Sequence, residues 1–383
     1  MENSQKSNRL QSIDIVRGFV MVIMAIDHVR DYFSSTSYRP DDVTQASASL
    51  FLTRWITHLC APTFIFLSGV SIYLYAKKAG NTGKTSFYLL TRGLWLVVLE
   101  IFVISFIMTQ GYDMTVLSII WAIGCSMIFL AALIWLPRWL QAIIAIVLIA
   151  SHGTLLMTAN VTADNMLIAF LHNTPFFIAK PPVLVAYTII PWVAVMLLGY
   201  AIGPWFTYET GRRNKLLVTS GLIAIAIFLV LRLMNNYGDP EPWNTQDRGW
   251  IYSVMSFFKI SKYPPSLLFL SITLGISFIL LTVAERLPFK VKDVLITYGR
   301  VPLFYFVAHL VLISVASYIW TYLAFGKGYN LSFMSPKDWP AEYHPSLLRL
   351  YFVWLLLVVA LYLPCKWYGN YKLKNRTWWT TYL

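Results

Sequence analysis

Residues 12–33 read SIDIVRGFVMVIMAIDHVRDYF, with an unbroken apolar run from Phe19 to Ile26. A helix of about 20 residues crosses the roughly 30 Å of bilayer hydrocarbon, so this stretch predicts a first membrane span at about 13–33. Its charges set it apart. Ionisable groups within the hydrocarbon cost several kcal/mol and mark functional sites by default. Arg17 and His28 are eleven residues apart, which puts them within about 20° of one helix face and about 16 Å apart along the axis. Both therefore face one shared cavity or polar seam. Gly18 lets another group approach the helix backbone beside Arg17. Asp27 and Asp31 flank His28, and a carboxylate beside a histidine fixes its tautomer and raises its basicity. An ion-pair network that merely holds the helix in a bundle would not need the histidine.

The rest of the chain repeats the membrane signal. Of 383 residues, 58% are hydrophobic and only 12% charged. Soluble chains carry about 25% charge, so a water-facing surface is excluded, and so are disordered and disulfide-rich classes. With 15 Trp and 23 Tyr, the aromatic content suits two lipid–water interfaces. Cys60, Cys125 and Cys365 lie in apolar stretches without paired spacing, which gives neither a disulfide framework nor a metal site. The polar start, MENSQKSNRLQSID, lacks the pattern of a cleaved signal peptide, so the first span reads as retained.

Ten spans follow, at about 13–33, 49–76, 89–110, 114–136, 139–159, 184–206, 215–235, 265–284, 300–323 and 347–366. Residues 161–183, broken by prolines, read as re-entrant or as an eleventh span. Alternate loops hold the basic groups, among them Lys6, Lys77, Lys78, Arg138, Arg212, Arg286 and Arg376. The positive-inside rule makes those loops cytoplasmic. The expected fold is thus a single all-α polytopic integral membrane helix bundle spanning 1–383, with both termini cytoplasmic. The net charge of +13 is then mostly topology and makes nucleic acid no partner.

Further polar residues lie within the spans. Arg54 and His58 share a face of span two, where Pro62 frees a backbone carbonyl. Glu100, in span three, needs a partner, and Arg54, His58 and His309 match its depth. Tyr305 and His309 share a face of span nine. Arg92 and Arg232 lie near helix ends and can snorkel, and His152 reads as a packing histidine. The line from Arg17 to His28 offers an anion site inside and a general base outside. An extended cytosolic donor with phosphates at one end and a reactive group at the other, such as an acyl-CoA, fits that line. No phosphate-binding loop motif is present.

The segments RLQSIDIVRGFVMVIMAIDHVRDYF, APTFIFLSGVSIYL, IPWVAVMLLGYAIG, KYPPSLLFLSITLG and GRVPLFYFVAHLVLI resemble the bacterial heparan-alpha-glucosaminide N-acetyltransferase-like membrane proteins. The first segment also resembles the Arg–ten residues–His pattern of the integral-membrane acyltransferase-3 proteins. The resemblance implies an enzyme of the bacterial-type inner membrane. It would transfer an acetyl group from cytosolic acetyl-CoA to a hydroxyl or amine of an extracytoplasmic glycan or amino sugar, without a metal. Membrane lipid is its solvent, and homo-oligomerisation stays open. Carried onto this chain, the first-span pattern would give Arg17 the donor and His28 the chemistry. From the residues themselves, Gly18 and Arg92 are expected beside the donor, and His28 is expected to act as base, oriented by Asp27 or Asp31. Arg54 or His58 would stabilise the oxyanion, and Glu100, Tyr305 and His309 would complete the polar set. The lysosomal relatives place a proposed catalytic histidine in the first lumenal loop, and the corresponding SSTSYRPDDVTQASAS has none, which leaves His28 or His58 for that role. The rival readings are a secondary transporter or exporter, and a non-catalytic component of a surface-polymer assembly.

Overall fold

The computed structural model describes residues 10–155, 166–172, 175–375 and 377. Lys6, Arg376 and residues 161–165, on which part of the loop and re-entrant readings rest, lie outside the described residues. The first half of the chain runs α1 (Gln11–Phe33), α2 (Ala48–Thr57), α3 (Cys60–Ala79), α4 (Thr82–Leu99), a π-helical turn (Glu100–Ile104) and α5 (Ser105–Thr109). Strand β1 (Thr115–Leu117) leads into α6 (Ile119–Leu133) and α7 (Arg138–Leu155), followed by α8 (Met166–His172), β2 (Phe176–Ile178), β3 (Val183–Val185) and α9 (Ile190–Ala201). The second half contains α10 (Thr210–Met234), α11 (Trp250–Phe258), α12 (Leu267–Val283), α13 (Phe289–Gly299), α14 (Pro302–Phe325) and α15 (Leu347–Lys374).

The protein is an all-α polytopic membrane bundle. Among the described residues, seven helical stretches are long and apolar enough to cross a bilayer, and α6 and α7 are apolar but shorter. Helix α1 covers the expected span at 13–33, although its charges set it apart from the others by composition. It is tolerated because it is central: Ile15, Val20, Ala25 and Val29 are all essentially fully buried among neighbouring helices. Helices α10 and α15 instead turn Leu222, Val230, Leu355 and Leu363 outward, as lipid-facing helices do.

Several span readings need correction. The expected helix at 49–76 is two helices, broken at His58–Leu59. Proline has no N–H to give the His58 carbonyl four residues back, so Pro62 interrupts the helical ladder there. Residues 114–136 and 184–206 do not begin as helix. Their first residues form a small sheet of order β1-β3-β2, with β1 parallel and β2 antiparallel to β3. The hydroxyl of Ser105 bonds both the N–H and the carbonyl of Val116, which anchors the sheet to α5. Helix α13, read from sequence as part of a loop, packs along α1; its Lys290, Lys292 and Asp293 hid it from a hydropathy reading.

Four helix pairs are joined through reciprocal glycines: Gly18 with Gly299, Gly69 with Gly199, Gly93 with Gly124, and Gly221 with Gly275. Small residues at membrane helix contacts let backbones approach closely, where apolar side chains gain nothing by leaving lipid. At the α1–α13 contact a Cβ on Gly18 would overlap the Leu295 carbonyl oxygen, and one on Gly299 would overlap the Asp14 carbonyl oxygen. Gly299→Leu is therefore expected to lower stability by about 1–3 kcal/mol, seen as a reduced melting temperature in detergent. Gly211, with open space at its Cβ, is the control, and Gly211→Ala should melt like the native protein. Equal melting of both variants would show that α13 is not held at this contact.

Candidate active site

A cavity of about 530 Å³ reaches from the loops after α1 and α14 into the bundle as far as Val20, Phe64 and Ile123. Its walls come from the C-terminal half of α1, the α2–α3 break, the sheet edge at Val116 and Leu184, and Phe306 of α14. Tyr38 from the loop after α1, and Phe333 and Trp339 from the loop after α14, also line it.

The loop before α12 contributes Lys262 and Tyr263, and a buried arginine holds that loop. Arg232, only 2% exposed, donates to the Phe257 and Glu241 carbonyls at 2.8 Å, to the Ser256 carbonyl at 2.9 Å, and to the Lys259 carbonyl. The Ser256, Phe257 and Lys259 carbonyls lie at the C-terminal end of α11, where a cation is favoured, and the Glu241 carbonyl lies in the loop before that helix. Arg232 therefore does not snorkel; it pins the loop. Asp239 fastens the other side, accepting from Ser261 N at 2.9 Å and Ser266 Oγ at 2.6 Å. Burial raises the Asp239 carboxyl above its ordinary range, against the lowering effect of these hydrogen bonds.

Inside the cavity the charges form one cluster. Asp27 Oδ1 accepts from Arg30 Nη1 at 2.6 Å, and Asp27 Oδ2 accepts from Arg54 Nη1. The Lys262 ammonium stands 3.9 Å from the same Oδ2. Arg30 also reaches Asp31 Oδ1, with Nη2 at 2.7 Å and Nε at 3.1 Å. Three cations thus face two carboxylates, and the cluster keeps one excess positive charge in an enclosed, low-dielectric setting. His28 lines the cavity beside this cluster and is partly exposed. Its ring meets Phe306 edge-on at 6.3 Å between centroids, and His309 at 5.1 Å.

The structure brings Asp27, His28, Asp31 and Arg54 together in the cavity wall. His58 sits at the helix break behind the wall, 3% exposed and edge-on to Phe269. Tyr305 and His309 are buried and stacked on each other at 5.4 Å. Arg17 and Gly18 do not share a cavity with His28. Arg17 donates to Ser71 Oγ at 2.7 Å and to the Gly299 carbonyl at 3.3 Å, and it pairs with Asp14 at 3.4 Å. What approaches Gly18 is the α13 backbone, so the pair locks α1 against α3 and α13. Arg92 also stands outside the cavity wall, with its guanidinium 6.0 Å from the Tyr88 ring centre. Glu100 finds no cation: its Oε1 accepts the Ser118 backbone N–H at 2.7 Å, and Oε2 has no hydrogen-bond partner in the described structure. Among the described contacts Asp27 makes no hydrogen bond to His28, and its two oxygens accept from Arg30 and Arg54.

Sequence reasoning missed Arg30, Lys262 and Tyr263. Arg30 was legible, three residues after Asp27 on the same helix face. Lys262 and Tyr263 open the segment KYPPSLLFLSITLG, but nothing local placed them beside Asp27, because the loop that delivers them is positioned by Arg232 from another helix. Among the described residues there is no group of three or more His, Cys, Asp or Glu side chains placed to hold a metal.

A central charged helix, a polytopic bundle and a pocket holding a histidine and a cationic cluster define a polytopic membrane protein with a charged internal site. The family model described as heparan-alpha-glucosaminide N-acetyltransferase, catalytic, matches residues 9–233, more than half of the chain, and the chain belongs to that family. It is therefore an N-acetyltransferase-type integral, multi-pass membrane enzyme. No curated protein matches it.

Proposed function

We propose that the cavity is the acceptor pocket of a transmembrane acetyltransferase that takes its acetyl group from cytosolic acetyl-CoA. The acceptor is a hydroxyl or amine of an extracytoplasmic glycan or amino sugar. The observation that carries this reading is the placement of His28, partly exposed in a cavity rimmed by the loops after α1 and α14 and next to a cluster with excess positive charge. The acceptor gives its proton to His28 as its oxygen or nitrogen attacks the thioester carbonyl. Arg54 and Lys262, in the same wall, stabilise the oxyanion. Collapse breaks the carbon–sulfur bond, and the CoA thiolate takes the proton back from His28. Tyr38, Tyr263 and Trp339 offer faces for sugar rings.

Arg17 is occupied by internal partners and serves α1 rather than the donor phosphates. A second pocket, of about 340 Å³ and lined by Tyr73, Lys77, Asn81, Arg138 and Gln141, suits those phosphates better. Helix α3 connects the two pockets, from Ala61 at the outer cavity to Lys77 at the inner one, about 24 Å of helix. An extended acyl-CoA covers a distance of that order.

The test is purified protein in liposomes with labelled acetyl-CoA outside and glucosamine within, the orientation fixed by protease accessibility. Labelled N-acetylglucosamine in the lumen, with free CoA outside, is the expected result. Sugar counterflow without CoA, and no acetylated product, would overturn the reading in favour of a transporter.

A further inference from the structure

Resting on that reading, we propose that His309 is the positioning residue for His28, taking the part that a carboxylate plays beside a catalytic histidine. His309 has no exposed surface, and its Nδ1 lies 3.0 Å from the Tyr305 carbonyl oxygen. A carbonyl only accepts, so Nδ1 carries the proton and Nε2 presents a lone pair. That Nε2 has no hydrogen-bond partner in the described structure. A buried acceptor without a donor costs free energy, and such a group calls for an explanation.

The explanation stands beside it. The His28 ring centre is 5.1 Å from that of His309, with the planes at 63°. In this structure the two rings touch edge-on and Nε2 takes no hydrogen bond; hydrogen bonds of a catalytic site commonly tighten only in the substrate complex, and the His28 N–H reaches Nε2 when the acceptor binds. The other rings around His309, Tyr305 at 5.4 Å and Phe306 at 5.3 Å, fix its orientation. Neither carboxylate beside His28 on α1 makes a hydrogen bond to it among the described contacts: the oxygens of Asp27 accept from Arg54 and Arg30, and Asp31 Oδ1 accepts from Arg30 twice.

In the reaction, one nitrogen of His28 takes the acceptor's proton while its other N–H donates to His309 Nε2. No proton passes to His309. It holds the His28 tautomer and stabilises the imidazolium until the proton leaves with the CoA thiolate.

The experiment compares the native protein with His309→Leu and His309→Gln, since glutamine keeps both an acceptor and a donor. For His309→Leu, kcat for acetyl transfer to glucosamine is expected to fall at least thirtyfold, with KM for acetyl-CoA and the melting temperature unchanged. His309→Gln should recover a third or more of native kcat. Diethyl pyrocarbonate gives a readout that needs neither donor nor acceptor. Carbethoxylation of the His28 peptide, followed by mass spectrometry, should slow at least threefold in His309→Leu and recover in His309→Gln. Equal carbethoxylation rates in all three proteins would overturn the pairing, as would parallel losses of melting temperature and kcat in both variants. A native protein that fails to transfer acetyl while the reagent rates still separate the variants would overturn the acetyltransferase reading and leave the pairing standing.

Discussion

His28→Ala is expected to reduce acetyl transfer by about a hundred- to ten-thousandfold, the usual contribution of a positioned general base. The loss should fall on kcat, because the side chain meets the acceptor's proton in the transition state. KM for acetyl-CoA should change little, since the basic inner pocket lies at the far end of α3. The folded state should tolerate the change: His28 is partly exposed to the cavity, and its ring contacts are Phe306 and His309. Steady-state kinetics with labelled acetyl-CoA, alongside a thermal melt, separate the two effects. Native turnover in a well-folded His28→Ala protein would remove the base from the mechanism. If acetylated His28 peptide accumulates when acceptor is withheld, histidine is instead the nucleophile, and the same residue keeps its place.

Asp27→Asn is expected to have the largest effect on stability. The side chain is 12% exposed and neutralises Arg30 and Arg54 directly, with Lys262 close by. Removing one partner of a buried pair leaves uncompensated charge and typically costs about 3–5 kcal/mol. Here several cations lose the same counter-charge, so the protein should melt far lower or fail to accumulate in the membrane. Asp31→Asn is the comparison. Its carboxylate side chain is 43% exposed and pairs with Arg30 alone, and exposed pairs contribute only about 0–1 kcal/mol. Thermal melts in detergent decide the matter. An Asp27→Asn protein that melts with Asp31→Asn would mean that water already screens the cluster.

The class of the protein was legible because hydropathy is local. Whether a stretch of about 20 residues partitions into hydrocarbon depends on its own side chains, so composition and length were enough to read an all-α polytopic membrane protein. The π-helical turn, the sheet and α13 escaped for the opposite reason. Thr115–Leu117 becomes a strand because Val183–Val185 supplies its hydrogen bonds, and α13 is held by a glycine contact with α1 rather than by its own hydropathy. The same division runs through the site. Sequence alone determined that α1 is a charged span and that Arg17, Asp27, His28 and Asp31 are carried on it. Tertiary structure decided what each does. A charge in a low-dielectric interior takes its role from the groups within a few ångströms, and here these come from chain positions far apart. Arg17 is absorbed by Ser71 and Gly299, Asp27 by Arg54 and Lys262, and His28 is left in the cavity beside His309.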